Sequence, residues 1–205
     1  MTLTLYTNPM SRGRIARWML EEVGAPYETV VLGYADTMKA ADYLAINPMG
    51  KVPAIVHDDR IVTENAAIAA YLADAFPDAG LAPPTAERAD YYRWLFFAAG
   101  PVEQAIVNRA LGVTPTAQQE RMVGYGAFDR VMTVFDAAIA TREWIAGDRF
   151  SAADVIVGSQ VLFGMRFGTL PTTAAFTAYA ERLTARDGYK RATALDDAAV
   201  AATAG

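Results

Sequence analysis

Two kinds of hydrophobic period occupy this chain, and they are separated along it. Over residues 1–78, short alternating or apolar runs trade places with stripes at helical spacing; beyond Pro84 only the helical spacing recurs. In the first part, "LTLY" (Leu3–Tyr6) reads as a strand. Ile15, Met19, Leu20 and Val23 then form a helical stripe with Gly24 as its stop. "YETVVL" reads as a second strand, and a short helix runs through Lys39–Leu44. "PAIVH" and "RIVTE", split by Asp58-Asp59, carry a hairpin signal, and Ile68, Tyr71, Leu72, Ala75 and Phe76 make a further helix. The order β-α-β-α-β-β-α predicts a small mixed sheet covered by helices, its first two strands parallel and its last two a hairpin.

"FPDAGLAPP" (Phe76–Pro84) has the Pro and Gly content of a linker. The predicted division is therefore 1–78 as an α/β domain, 79–85 as linker and 86–205 as an all-helical domain. "RADYYRWLFFAAGPVEQAIVNRAL" predicts a long helix kinked at Gly100-Pro101. It is apolar on more than one side, so one face is open to a partner subunit or a ligand. Further helices are predicted at about 117–140, 152–166 and 173–185, and the low-complexity tail "ALDDAAVAATAG" is expected to fray. In "FSAADV", Ser151 fits an N-cap, Asp154 a capping box, and Phe150 with Val155 a hydrophobic staple. That signal is structural, a helix start worth about 1 kcal/mol for its cap.

Composition narrows the chemistry. A net charge of −5 offers no basic stripe for nucleic-acid phosphates, and no apolar run approaches the roughly 18 residues of a membrane span. "MTLTLY" precedes Arg12, Arg14 and Arg17, the reverse of a signal peptide, and Pro9 and Gly13 spoil a transit peptide; a cytoplasmic protein is expected. The absence of cysteine excludes thiolate metal sites and a protein thiol nucleophile. The single histidine, His57, sits beside the Asp58-Asp59 turn and reads as a solvated edge residue, not a catalytic base.

"NPMGKVPAIVHDDRIVTEN" (47–65) is the stretch that suggests a site. Pro53 opens a strand although it cannot donate a backbone hydrogen bond. A cis bond at Val52-Pro53 would leave the Val52 N–H and C=O facing outward, where an extended peptide-like ligand could add itself as a short antiparallel strand. The following helix begins at "TEN"; its free N–H groups suit an anion, and Glu64 beside them suits an ammonium. An ammonium next to a carboxylate is what a γ-glutamyl group presents. Lys51 and Lys39 are placed to meet a carboxylate at the ligand's far end. Each piece has a plainer reading, Asn65 as an N-cap and the lysines as solvated loop residues. Their order along one stretch is what points to a ligand.

Together "LYTNPMSRGR", "NPMGKVPAIVHDDRIVTEN", the AIAAYLAD helix and "FSAADV" resemble the cytosolic glutathione transferase superfamily, over about the whole chain. The resemblance implies a thioredoxin-like N-terminal domain, an all-helical C-terminal domain and a homodimer binding glutathione as co-substrate, with no metal. Val52 and Pro53 match the family's glutathione-backbone site. Glu64 and Asn65 match its acidic-plus-Ser motif, with Asn in place of the commoner Ser. The family places Ser, Cys or Tyr near the end of strand one or the start of helix one to hydrogen-bond the glutathione sulfur. Lowering a thiol pKa from about 8.5 by two units takes about 2.7 kcal/mol. One hydroxyl bond to a charged group supplies roughly 1.5–3 kcal/mol. Without cysteine the chain is of the non-cysteine type. Ser11 is the first choice for that donor, Tyr6 its rival, and Asn8 and Thr7 occupy the loop position some members use. Tyr91, Arg93, Trp94 and Phe97 are candidates for the electrophile side, with core packing the leading reading for most of them. The implied activity is conjugation of glutathione to small hydrophobic electrophiles, a detoxifying reaction, or reduction of hydroperoxides. The alternatives are a glutathione-dependent isomerase or dehalogenase and a non-catalytic interaction module.

Overall fold

The computed structural model describes residues 2–203 of the chain. Its first part is a four-stranded sheet in the order β2-β1-β3-β4, with β1 Leu3–Thr7, β2 Glu28–Val31, β3 Ala54–His57 and β4 Arg60–Thr63. β1 and β2 are parallel, joined through helix α1 (Gly13–Val23); β1–β3 and β3–β4 are antiparallel. Side chains alternate across β1 as the two-residue period requires: Leu3, Leu5 and Thr7 are buried, Thr4 and Tyr6 partly so. One face packs under α1 and α3 (Asn65–Ala75), through residues such as Ile15, Met19, Ile68 and Leu72. On the other face, the 3₁₀ turn Thr37–Lys39 and helix α2 (Ala41–Leu44) bring Met38 and Tyr43 against Leu32 and Ala54, with Tyr6 and Val52 packed around them.

Local signals behave as their chemistry predicts. Gly24 stops α1 in the left-handed conformation, φ 73°, returning its N–H to the Leu20 carbonyl. Asp58 takes φ 53° in the hairpin turn and is clasped to Thr2 by two hydrogen bonds, of 2.8 and 2.9 Å. His57 departs from the expectation of a solvated edge position. β3 is an inner strand, so His57 is buried, bonded through Nδ1 to the Tyr71 hydroxyl at 2.9 Å and stacked on Phe76. The exposed edge is β2, all four of whose residues face solvent.

The expectation that the tail frays also fails, for residues up to Thr203. Helix α9 (Asp187–Thr203) packs along α1; Ala204 and Gly205 of the tail lie outside the described residues. Alanine-rich sequence propagates a helix readily, and here it is also clasped. Arg17 bonds Asp196 at 2.8 Å, Arg14 bonds Asp197 at 2.7 Å, and Trp18 meets Tyr189 edge-on at 5.0 Å. By compactness the chain divides into Met1–Leu81 with Ala185–Gly205, and Ala82–Thr184. The first break lies between Leu81 and Ala82. The sequence reading has no counterpart for the second.

The unit Ala82–Thr184 is helical: α4 (Ala89–Phe97), α5 (Glu103–Ala110), α6 (Phe128–Ala140), α7 (Ala152–Phe167) and α8 (Ala174–Thr184). The predicted kink is a π turn over Ala98–Val102, in which the Glu103 N–H reaches back to Ala98 O around Pro101. Of the predicted 117–140 helix only Phe128 onward forms. Ahead of it stand a 3₁₀ turn, Gln119–Arg121, and Gly126 at φ 68°, which breaks the run. In α4, Tyr91, Trp94 and Leu95 are buried, whereas Tyr92 and Phe96 are exposed.

Asp154 organises this unit. Its fully buried carboxylate accepts four hydrogen bonds: from the Ile145 N–H at 2.8 Å, the Ser151 N–H at 2.9 Å, the Ser151 hydroxyl at 3.1 Å and the Tyr179 hydroxyl at 2.6 Å. Burial pushes its pKa up, and the bond from Tyr179, then those from Ile145 and Ser151, oppose that shift. The box closes the start of α7 as the sequence suggests, but it also ties α8 to the loop before α7. Replacing Tyr179 by Phe removes one bond to a charged group and is expected to cost about 1.5–3 kcal/mol in urea unfolding. A loss below about 0.5 kcal/mol would show that the hydroxyl contributes nothing beyond ordinary packing.

Candidate active site

Strand register gathers the candidate residues. Tyr6 pairs with Ala54, and Ala54 with Thr63. The segment leaving β1, the segment entering β3 and the start of α3 after β4 therefore lie at one end of the sheet.

The first segment, between Thr7 and Gly13, is held by Asn8. Its buried amide donates to the Leu32 carbonyl at 2.8 Å and accepts the Met10 N–H at 2.9 Å. Asn8 is therefore a brace with both ends of its side chain in use. Its backbone carbonyl accepts both the Ser11 N–H, at 3.0 Å, and the Ser11 hydroxyl, at 2.7 Å. The Ser11 oxygen in turn accepts the Gly13 N–H at 2.9 Å, so this half-buried hydroxyl sits on the opening turn of α1. Thr7 is fully buried, its hydroxyl without a partner among the described residues, and a Cβ on residue 13 would collide with it. Glycine at 13 lets α1 start this close to β1. The Tyr6 ring lies 5.6 Å from that of Tyr43, in the cluster covered by the α2 segment.

The second segment is the "NPMG" turn. Gly50 adopts φ 55°, and a side chain there would press on the Met38 carbonyl and the Lys39 ammonium. The Lys51 carbonyl accepts the Asn47 amide at 2.8 Å and the Tyr43 hydroxyl at 2.5 Å. Burial raises the Tyr43 pKa, so the phenol stays protonated and donating at neutral pH. The Lys39 ammonium donates to Gly50 O at 2.6 Å, leaving two of its three donors. The Lys51 side chain is exposed. Next comes Val52, joined to Pro53 by a cis peptide bond. Its N–H and C=O have no hydrogen-bond partner among the described residues.

The third segment opens α3. Glu64 is exposed and holds φ 67°, ψ 120°, a conformation unusual for a residue with a side chain. The Glu64 side chain makes no capping bond, so the first N–H groups of α3 have no cap from it. The Asn65 amide reaches the Arg12 carbonyl at 3.3 Å, joining α3 to the segment that carries Ser11. Its Oδ1 is buried without a partner among the described residues. The structure thus brings Ser11, Val52, Pro53, Glu64 and Asn65 to one end of the sheet, with Lys51 and Lys39 on the adjoining turn. Asn47 and Tyr43 escape sequence reasoning; "NPMG" signals a turn, but not that two side chains converge on the Lys51 carbonyl. Among the described residues no group of three or more His, Cys, Asp or Glu is gathered as a metal site.

Residues 1–74 match the family profile described as "Glutathione S-transferase, N-terminal domain". The chain is 30% identical over 192 residues to Glutathione S-transferase GST-4.5 of Xanthomonas campestris pv. campestris, covering 89% of this chain and 93% of that relative. It is 34% identical over 166 residues to Glutathione S-transferase 3 of Zea mays, covering 74% and 73%. Among solved structures, a sphingomonad glutathione S-transferase complexed with glutathione superposes with a TM-score of 0.77 at 28% identity, covering 95% of this chain and 98% of the other. The fold, the arrangement at the end of the sheet and these relatives agree: the chain belongs to the glutathione S-transferase family.

Proposed function

We propose that the protein binds glutathione along this end of the sheet and transfers it to small hydrophobic electrophiles. The observation that carries the reading is the unpaired main chain of Val52, flanked by a hydroxyl at the start of α1 and a carboxylate at the start of α3. The cysteinyl backbone of the tripeptide pairs with Val52 N–H and C=O. Its γ-glutamyl carboxylate rests on the opening N–H groups of α3 and its ammonium on Glu64. Lys51, with the remaining donors of Lys39, faces the glycyl carboxylate.

Ser11 is the thiolate donor in this reading. Its hydroxyl proton now lies on the Asn8 carbonyl, which would keep the Ser11 N–H as a partner if the hydroxyl turned away. A neutral hydrogen bond contributes about 0.5–1.5 kcal/mol and one to a charged group about 1.5–3. Turning from the carbonyl to the thiolate therefore gains about 1 kcal/mol, less than the full strength of the new bond. The start of α1 adds about 0.3–1 kcal/mol. Together they lower a thiol of ordinary pKa, about 8.5, by roughly one to one and a half units. The thiol proton leaves to solvent, the sulfur lone pair forms the S–C bond, and the electrophile's leaving group departs with the bonding pair. Reduction of hydroperoxides by the same thiolate belongs to this proposal, as does a cytoplasmic setting, where glutathione is kept reduced. No helix among the described residues is long and apolar enough to cross a membrane.

The exposed Tyr92 and Phe96 of α4 support association of two copies, as homodimers bury aromatic side chains. Phe96→Asp is expected to shift the protein to monomer in sedimentation; an unchanged species would place the subunit contact elsewhere.

The test of the site is calorimetric titration with glutathione, then conjugation of an activated aryl chloride. Ser11→Ala is expected to raise the bound thiol's pKa by about one unit and to lower the rate about tenfold at a pH below both values. Tyr6→Phe is expected to leave both unchanged. A shift in Tyr6→Phe with none in Ser11→Ala would move the donor to the tyrosine. Tight binding with no turnover on any electrophile would favour a binding module.

A further inference from the structure

We propose that the last helix, α9, positions the loop bearing Ser11, and that it acts through Arg14. This rests on the reading of Ser11 as the thiolate donor. Arg14 stands in the first turn of α1. Its Nε–H donates to the Pro9 carbonyl at 2.6 Å, and a terminal NH₂ donates to Asp197 Oδ1 on α9 at 2.7 Å. One planar fork thus joins a carbonyl two residues before Ser11 to a carboxylate 183 residues beyond Arg14 itself.

The loop needs that tie. Proline has no N–H, so the carbonyl is the only main-chain hydrogen-bonding group of Pro9. Asn8 fixes the near end of the loop, through Leu32 and Met10, and Arg14 fixes the turn that follows. Ser11 hangs between them, bonded to the Asn8 carbonyl and the Gly13 N–H.

Helix α9 is a firm anchor because other contacts hold it. Arg17 and Asp196 form a pair whose side chains are 5% and 1% exposed, and Arg17 also meets the Tyr27 and Thr29 hydroxyls. Arg186, just ahead of α9, bonds Glu22 at 2.7 Å, and Arg191 within it bonds Glu21 at 3.0 Å. At Gly188 the two helices approach so closely that a Cβ would press on the Glu22 side chain. Asp197, by contrast, is 62% exposed. An exposed pair of this kind adds little to stability. What it does supply is direction: it holds the guanidinium in the one orientation that keeps Nε–H on Pro9.

The experiment uses the full chain with Asp197→Ala, Asp197→Glu and, at the far end of the same clasp, Arg191→Ala, beside Ser11→Ala. Asp197→Ala is expected to raise the bound glutathione thiol's pKa by about half a unit and to lower conjugation about threefold at a pH below both values. Its affinity for S-methylglutathione, which has no thiol to titrate, and its urea unfolding midpoint stay at wild-type values. Asp197→Glu restores the pKa, and Arg191→Ala leaves it unchanged. A wild-type pKa in Asp197→Ala, with Ser11→Ala still raising it, overturns the positioning role alone. An equal rise in Arg191→Ala overturns it too, since general loosening of α9 would then suffice. No rise in Ser11→Ala removes the donor and this inference together.

Discussion

Tyr6 opposite Ala54, and Ala54 opposite Thr63, is the pairing on which the rest depends. It is an ordinary antiparallel register, fixed because a slip of one residue would turn Leu5 and Ile55 out of the core. Its consequence is that the segments leaving β1, entering β3 and following β4 meet at one end of the sheet. The Ser11 hydroxyl, the Val52 peptide unit and the start of α3 are thereby brought to the same end of the sheet.

The first two of these segments are loop, and loops need their own fastening. Two buried asparagines provide it in the same way. Asn8 bonds one backbone carbonyl and one N–H on either side of the first loop, and Asn47 does so within the second. Asparagine carries a donor and an acceptor on a short stem, so one residue can satisfy two main-chain groups that no regular ladder reaches. Asn65 spans the third gap with a single bond to Arg12. Polar side chains do this work, and the apolar core lies beneath them.

Much of this was legible in the chain. The hairpin, the stop at Gly24, the kink at Gly100-Pro101 and the Asp154 box are written by residues within a few positions of one another, so local chemistry predicts them. Val52, Glu64 and Asn65 are candidates from their order in one motif, and Ser11 from its place before the first helical turn. What escaped depends on distance along the chain. His57 reads as exposed beside its turn, yet the strand order makes β3 an inner strand and Phe76 covers the ring. The tail reads as featureless because its aspartates find Arg14 and Arg17 only in the folded state. The braces escaped for the same reason: Asn8 meets Leu32, and Tyr43 meets Lys51, by bonds that no periodicity encodes.

The most direct measurement is a crystal structure of the protein with glutathione bound. The account predicts the cysteinyl N–H and C=O of the tripeptide within about 2.7–3.2 Å of the Val52 carbonyl and N–H, with the sulfur beside the Ser11 hydroxyl. Glutathione seated away from Val52, or with its sulfur turned to the Tyr6 phenol while Ser11 stays bonded to Asn8, would contradict it.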